Sequence, residues 1–225
     1  MPRQLTFPLE HPAKLTAEDF LVAPANAAAH AIIEAWPDWP ARGLVLCGPA
    51  GSGKSHLAAI WAERSGAEIV EADMLTEDRI AALREGTALG VENIDVPSVS
   101  ETILFHLMNT ARERAIWLLL TASQLPGAVW PKLPDLGSRL RQLPVAELQP
   151  PDDGLVRAVL VKLFDDRQLA VDAEVIDYIA RRMERSLGAA REMVAALDEE
   201  ALALGRRVTK PVASAVLARL TSEVD

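Results

Sequence analysis

A glycine-rich stretch, residues 48–55, constrains the fold more than any other part of the chain. It matches the pattern G-x-x-x-x-G-K-[ST] and consists of Gly48, Pro49, Ala50, Gly51, Ser52, Gly53, Lys54 and Ser55. An apolar run, residues 44–47, precedes it, and a run with helical spacing, residues 56–62, follows it. Glycines permit the backbone turns that aim N–H groups at an anion, and a helix N-terminus favours negative charge. The order strand, glycine loop, helix therefore predicts a site for the phosphates of a nucleotide.

Charged and polar side chains around this loop predict what the site does with the nucleotide. We expect Lys54 to contact the outer phosphates and the Ser55 hydroxyl to bind Mg²⁺. Glu92 stands near the end of a predicted strand, where an acid holds Mg²⁺ through water. The next residue is Asn93, whose amide cannot accept a proton from water. This combination predicts a site that binds nucleotide and Mg²⁺ but hydrolyses the nucleotide slowly.

Apolar runs and helical patterns alternate up to residue 149. The runs predict strands over 44–47, 69–72, 88–95, 115–122 and 145–148. The helical patterns cover 26–35, 54–65, 76–84, 98–114 and 133–140, with Thr76 and either Ser98 or Ser100 as N-caps. Strands that alternate with helices indicate an α/β domain with a parallel five-stranded sheet flanked by helices.

The chain changes character after this domain, which we assign to residues 13–150. The remaining sequence contains only helical patterns, over 153–167, 172–185, 187–204 and 210–220. They predict a small all-α lid domain over residues 151–225.

The first residues, 1–12, are polar, contain proline and lack periodicity, which predicts an extended arm. The arm carries the sequence Gln4, Leu5, Thr6, Phe7, Pro8, Leu9. Such a segment can insert into a groove on a partner, or it can lie on the surface of its own domain. The residue chemistry alone favours the second interpretation.

Composition excludes several classes of protein. The 225 residues carry a formal charge of −9, which argues against general binding of nucleic acid because such binding needs clustered Lys and Arg. No apolar run has the length of a membrane helix, and the N-terminus lacks the apolar core of a signal peptide. Cys47 is the single cysteine, so no disulfide framework is possible within one chain. These features predict a cytoplasmic protein.

Three further polar residues have two interpretations each. Thr121 ends a predicted strand and can either contact the γ-phosphate or cap the strand. Arg139, on a short helix, can reach a phosphate in a neighbouring subunit or be an ordinary surface cation. Arg191 can reach back to the nucleotide or pair with Glu192 or Glu184. The residues alone leave each choice open.

Four segments together resemble the AAA+ initiator clade of bacterial replication proteins. They are GPAGSGKSHL at 48–57, ENID at 92–95, LPDLGSRL at 133–140 and AR at 190–191. The resemblance covers essentially the whole chain and is greatest for the Hda branch of the clade. That branch is indicated by the residue sequence at 133–140, by the arm, and by a chain that stops after the lid without a DNA-binding domain.

The resemblance implies roles for individual residues. The nucleotide is ADP or ATP with Mg²⁺, and Glu92 holds the metal through water. Arg139 is the arginine finger and acts in trans, Thr121 is the sensor-1 residue, and Arg191 is the sensor-2 residue. The region Phe20–Asn26 is expected to form the wall around the adenine base, so Phe20, Val22 and Asn26 are assigned as nucleotide contacts, together with His56.

The resemblance also implies partners and a role. The arm is expected to dock on the β sliding clamp of DNA polymerase III, with Gln4 at the pocket rim and Leu5, Phe7 and Leu9 as apolar anchors. Clamp, chain and DnaA would assemble on DNA, and hydrolysis of DnaA-bound ATP would prevent re-initiation. DNA is contacted only through the complex, intrinsic ATPase activity is weak at most, and a homo-oligomer is possible. Two alternatives stay open: an autonomous P-loop ATPase such as a helicase loader, and a DNA-binding paralogue of the initiator.

Overall fold

The computed structural model describes residues 15–127 and 129–222, in two compact units. One unit comprises Leu15–Gln149, and the second includes residues 150–222. The predicted arm, with Gln4, Leu5, Thr6, Phe7, Pro8 and Leu9, lies outside the described residues. Among the described helices, none combines the length and the apolar character that crossing a membrane requires.

The first unit contains the predicted parallel sheet. Its strands are β1 (Gly43–Cys47), β2 (Glu68–Glu71), β3 (Ala88–Glu92), β4 (Trp117–Ala122) and β5 (Val145–Glu147). They lie in the order β2-β3-β4-β1-β5, and every neighbouring pair is parallel. All residues of β1, which lies between β4 and β5, are buried. Parallel strands are covered by helices on both faces, which explains why β1 and β4 appear in the sequence as continuous apolar runs.

Helices precede β1 and connect the successive strands. They are α1 (Ala27–Glu34), α2 (Lys54–Ser65), α3 (Glu77–Ala82), α4 (Glu101–Glu113) and α5 (Pro134–Leu140). Both predicted N-caps form: the Thr76 hydroxyl accepts the Arg79 N–H at 3.2 Å, and the Ser100 hydroxyl accepts the Ile103 N–H at 3.4 Å. Of the two serines considered, Ser100 is therefore the one that caps α4.

The alternation of side chains along β1 divides the core of this unit into two layers. Val45 packs on one face, in a cluster with Leu107 of α4 and Leu136 of α5. Leu44 and Leu46 pack on the other face, with residues of α1 and α2. Successive residues of a strand point to opposite faces, so one apolar strand can supply both layers. Because both faces of the sheet are packed, the loops at the ends of its strands are held in fixed positions.

The second unit is helical, as expected from the sequence. It contains α6 (Asp153–Asp166), α7 (Ala173–Ala180), α8 (Leu187–Leu204) and α9 (Lys210–Ser222). Its apolar cluster includes Phe164, Ile179 and Leu197. The helix predicted over 172–185 ends earlier, at Ala180, because its last turn tightens: the N–H groups of residues 182 and 183 both bind the Ile179 carbonyl.

Candidate nucleotide site

The loop between β1 and α2 has the geometry that its glycines predict. Gly51 and Gly53 have φ values of 67° and 106°, in the left-handed region that favours glycine. Gly48 is needed for a different reason, which is close approach of backbone. A Cβ atom on Gly48 would lie 2.6 Å from the Leu148 carbonyl oxygen and 3.0 Å from Ser52 Oγ. The loop is therefore packed against the end of β5 and tolerates no side chain at its first position.

Replacing Gly48 with alanine is expected to lower the free energy of unfolding by about 1–3 kcal/mol, the usual cost of overpacking. The Leu148 carbonyl is backbone and cannot rotate away from the added methyl group. Urea unfolding measures the change. Gly127→Ala is the matched control, because its Cβ would meet only the Leu125 carbonyl oxygen, at 3.7 Å. Equal effects of the two substitutions would contradict the packing argument.

Lys54 begins α2 and is buried, and its ammonium group folds over the loop. Lys54 Nζ donates to the carbonyl oxygens of Gly48 at 2.7 Å and Pro49 at 2.9 Å. Burial lowers the pKa of Lys54 because it disfavours the charged form, and the negative charges of Asp95 and Glu92 oppose this shift. An ammonium group has three donors, so a third N–H is available for a phosphate oxygen.

Two buried polar atoms at this site lack a hydrogen-bond partner within the described residues. They are Ser52 Oγ, in the loop, and Glu92 Oε1, at the end of β3. Buried polar groups in folded proteins are almost always paired, so both atoms fit a site that a polar ligand completes. A phosphate group fits the loop, and hydrated Mg²⁺ fits Glu92 together with Ser55, which is exposed in the first turn of α2.

Both the side chain and the backbone N–H of Asn93 are hydrogen-bonded to neighbouring residues. It adopts a left-handed backbone conformation, with φ of 59°, which asparagine tolerates better than most residues. Its side-chain Nδ2 donates to Glu71 Oε2 at 2.9 Å, and its backbone N–H donates to Thr121 Oγ1 at 2.9 Å. Sequence reasoning missed Glu71, because no local pattern pairs residue 71 with residue 93.

Thr121 lies one residue before the end of β4 and is buried. It pairs with Leu46 of β1, two residues before Gly48, so it is close to the phosphate loop along the sheet edge. Its hydroxyl accepts the Asn93 N–H and keeps its own proton for donation. The structure thus gives Thr121 a role in fixing the end of β3, and both predicted interpretations remain compatible with its position.

Asp95, two residues beyond Asn93, fixes the loop that follows β4. Its carboxylate accepts the Ser123 N–H at 2.9 and 3.1 Å and the Gln124 N–H at 3.1 Å. No local pattern predicts this contact, because its partners lie 28 and 29 positions further along the chain.

The segment assigned to the adenine base packs against the start of α2. Phe20 is buried between His30, whose ring stacks at 5.4 Å, and His56, whose ring approaches edge-on at 5.1 Å. His56 belongs to α2, and its Nε2 lies 2.7 Å from the Thr16 carbonyl oxygen. Phe20 and His56 therefore fix this segment beside the phosphate loop.

The other two residues of the segment differ in exposure. Asn26 is buried, and its amide accepts the Ala23 N–H at 2.8 Å and donates to the Leu21 carbonyl at 3.0 Å. Asn26 thus shapes the turn through its own amide. Val22 is 55% exposed, so its apolar side chain is open to a ligand.

The two predicted arginines lie in different units. Arg139 is half-buried in the last turn of α5, and within residues 15–127 and 129–222 its guanidinium makes no hydrogen bond or ion pair. Arg191 is half-buried in α8, and burial lowers its pKa from the ordinary value. The roles assigned to these two arginines stay predictions.

The sheet order, the phosphate loop after β1 and the helical second unit define the class of protein, a AAA+ P-loop protein. Solved structures have the same fold. Domain III of the Thermotoga maritima replication initiation protein DnaA matches with a TM-score of 0.75, at 18% identity, over 97% of this chain and 98% of that chain. The Thermotoga maritima RuvB Holliday junction branch migration motor matches with a TM-score of 0.63, at 18% identity, over 79% of this chain and 61% of that chain.

Sequence relatives narrow the assignment. The family model described as the Hda lid domain matches residues 153–217. DnaA of Microcystis aeruginosa is 32% identical over 187 residues, which is 72% of this chain and 42% of the relative. DnaA of Thermomicrobium roseum is 25% identical over 94% of this chain and 50% of the relative, so the chain spans half or less of these proteins. The chain is a AAA+ protein homologous to DnaA and Hda.

Proposed function

We propose that the chain is a nucleotide-bound AAA+ adaptor that stimulates hydrolysis of DnaA-bound ATP through Arg139 and thereby prevents re-initiation of replication. The observation that carries the proposal is the contrast between the chain's own nucleotide site and Arg139. At its own site the residue after Glu92 is Asn93, an amide tied to Glu71. The guanidinium group of Arg139, by contrast, makes no hydrogen bond or ion pair within residues 15–127 and 129–222. Asn93 therefore cannot act as a base at the chain's own site, whereas Arg139 is available to a nucleotide that another protein binds.

The chain's own nucleotide has a structural role in this proposal. Lys54 and the loop amides bind the phosphates, Ser55 and Glu92 hold Mg²⁺, and Mg²⁺ neutralises phosphate charge when bound. Asn93 cannot take a proton from water, so bound ATP would be hydrolysed slowly.

Arg139 supplies the chemistry at the partner's site. A guanidinium group carries a permanent charge and a fork of N–H donors that matches phosphate oxygens. Placed against the γ-phosphate of DnaA-bound ATP, it would stabilise the charge that develops during transfer to water. The homology to DnaA supports the choice of DnaA as the partner.

A hydrolysis assay tests this proposal. ATP-loaded DnaA is mixed with β clamp loaded on DNA, and release of phosphate is followed with and without the chain. We expect stimulation only when the chain, the clamp and DNA are all present. Absence of stimulation would contradict the proposal. Rapid hydrolysis by the chain alone, at about 1 s⁻¹ or more, would instead identify an autonomous ATPase.

The proposed clamp-binding arm makes a separate prediction. Replacing Leu5 and Phe7 with alanine is expected to reduce clamp affinity at least tenfold, because each buried apolar anchor contributes about 1.5–3 kcal/mol. Surface plasmon resonance on immobilised clamp measures the loss. Thr6→Ala, which removes a side chain not assigned as an anchor, is the matched control. Unchanged clamp affinity in the double variant would show that the arm is not the clamp ligand.

A further inference from the structure

A carboxylate at the start of α4 holds the segment that leads into the helix bearing Arg139. Glu101 is the first residue of α4 and is half-buried. Its Oε1 accepts the Lys132 N–H at 2.9 Å, and its Oε2 accepts the Leu133 N–H at 2.6 Å. Both carboxylate oxygens are thus used on two successive backbone donors, 31 and 32 positions further along the chain.

These two donors come directly before α5, which begins at Pro134. The residue at the N-cap position is Leu133, whose side chain cannot accept a hydrogen bond, and no side-chain cap is formed there. Proline at the first helical position has no N–H to offer. Glu101 binds the two amides that come directly before the helix. It therefore determines where the backbone enters α5.

The other contacts of α5 are less directional. Leu136 and Leu140 are fully buried on the side of the helix that faces the core. Apolar burial is nearly proportional to area and depends little on orientation, so it permits small shifts of the helix along or about its axis. A bidentate carboxylate fixes two donors at once and opposes such shifts. Because α5 is only two turns long, a shift at its start moves Arg139 by a similar distance.

We propose that Glu101 is a positioning residue for Arg139, an inference that rests on the function proposed above. Glu101 does not touch the partner's nucleotide; it holds the entry of α5 so that the guanidinium group meets the phosphate at the required distance. Misplacement by about 1 Å of a group that acts on a reacting centre costs on the order of 10²-fold in rate. Loss of Glu101 should therefore impair stimulation without removing Arg139.

Two variants test the inference. Glu101→Ala removes both acceptors and is expected to lower stimulated hydrolysis of DnaA-bound ATP by about 10- to 100-fold. Glu101→Gln is nearly isosteric and keeps one acceptor oxygen, so it should fall between Glu101→Ala and the unaltered chain. Clamp affinity and bound nucleotide are expected to stay unchanged. Hydrogen exchange at the amides of Lys132 and Leu133, read by NMR, should accelerate in the same graded order.

The control addresses the helix dipole. Glu77 lies in the first turn of α3, is exposed, and makes no side-chain hydrogen bond within the described residues, so Glu77→Ala removes the same charge from an equivalent position. It should leave stimulated hydrolysis and exchange at 132 and 133 unaltered.

Arg139→Ala in the same assay separates the two proposals. If Arg139→Ala abolishes stimulation but Glu101→Ala and Glu101→Gln retain it, Glu101 has no positioning role and the adaptor function stands. If the unaltered chain gives no stimulation, or if Arg139→Ala retains it, both proposals are overturned. Graded loss that follows the exchange rates supports the positioning role, because a merely structural defect would also lower nucleotide or clamp binding.

Discussion

Replacing Arg139 with alanine is expected to lower hydrolysis of DnaA-bound ATP in the clamp-dependent reaction by about 10³-fold or more. An arginine supplied in trans to a transferring phosphate contributes about 10³–10⁵ in rate. Removing it leaves the water, the metal ion and the partner's own residues in place, so hydrolysis falls towards the partner's intrinsic rate. Quenched-flow measurement of phosphate release, with saturating chain, gives this ratio directly.

The structure explains why the substitution should leave the rest of the molecule intact. The guanidinium group of Arg139 makes no hydrogen bond or ion pair in the part of the chain that the structure describes, so alanine leaves no buried partner unsatisfied there. Alanine is also the best helix former, and Arg139 lies within α5. We therefore expect unchanged binding of ADP and of clamp, and a free energy of unfolding within about 0.5 kcal/mol of the original.

Arg141 provides the matched control. It lies two residues further on, at the C-cap of α5, and is exposed. Because residues two positions apart do not share a helix face, its guanidinium cannot replace that of Arg139. Arg141→Ala removes the same charge from the same surface and should keep stimulation within a few-fold. If the two variants lose stimulation equally, the effect is one of general surface charge and the finger assignment is wrong.

Local patterns were sufficient to predict the architecture. The sheet, the loop after β1 and the helical second unit follow from hydrophobic periodicity and from the glycine spacing at 48–55. These signals act over a few residues, since each strand or turn is specified by its own side chains. The N-cap at Thr76 is of the same kind, because its hydrogen bond spans three residues.

The contacts that organise the candidate site span much longer separations and had no local signal. Asn93 reaches Glu71, and Asp95 reaches Ser123. Nothing in either segment indicates its partner, because the pairing exists only after β2, β3 and β4 have aligned in register. The sequence therefore indicated that Asn93 is no general base, but the tether that holds its side chain was visible only in the structure.

Replacing Lys54 with methionine is expected to reduce affinity for ADP and ATP by at least about 10²-fold. The ammonium group would make charge-assisted hydrogen bonds to phosphate, and each such bond contributes about 1.5–3 kcal/mol. Ligand binding raises the free energy of unfolding by RT ln(1 + [L]/Kd), which is about 4 kcal/mol at a thousandfold excess over Kd. Urea unfolding with and without ADP therefore measures the loss: the gain present in the unaltered chain should largely disappear in Lys54→Met.

The same substitution should not unfold the protein without nucleotide. Burial lowers the pKa of Lys54 below its ordinary value of 10.5, which means that protonation favours the unfolded state. The unliganded chain should thus gain stability from this group as the pH rises towards 10.5, and Lys54→Met should lack that gain. Lys162→Met is the matched control, since Lys162 makes an (i,i+4) ion pair with Asp166 on α6 and exposed pairs contribute little. An equal gain from ADP in Lys54→Met and Lys162→Met would mean that the phosphates bind elsewhere.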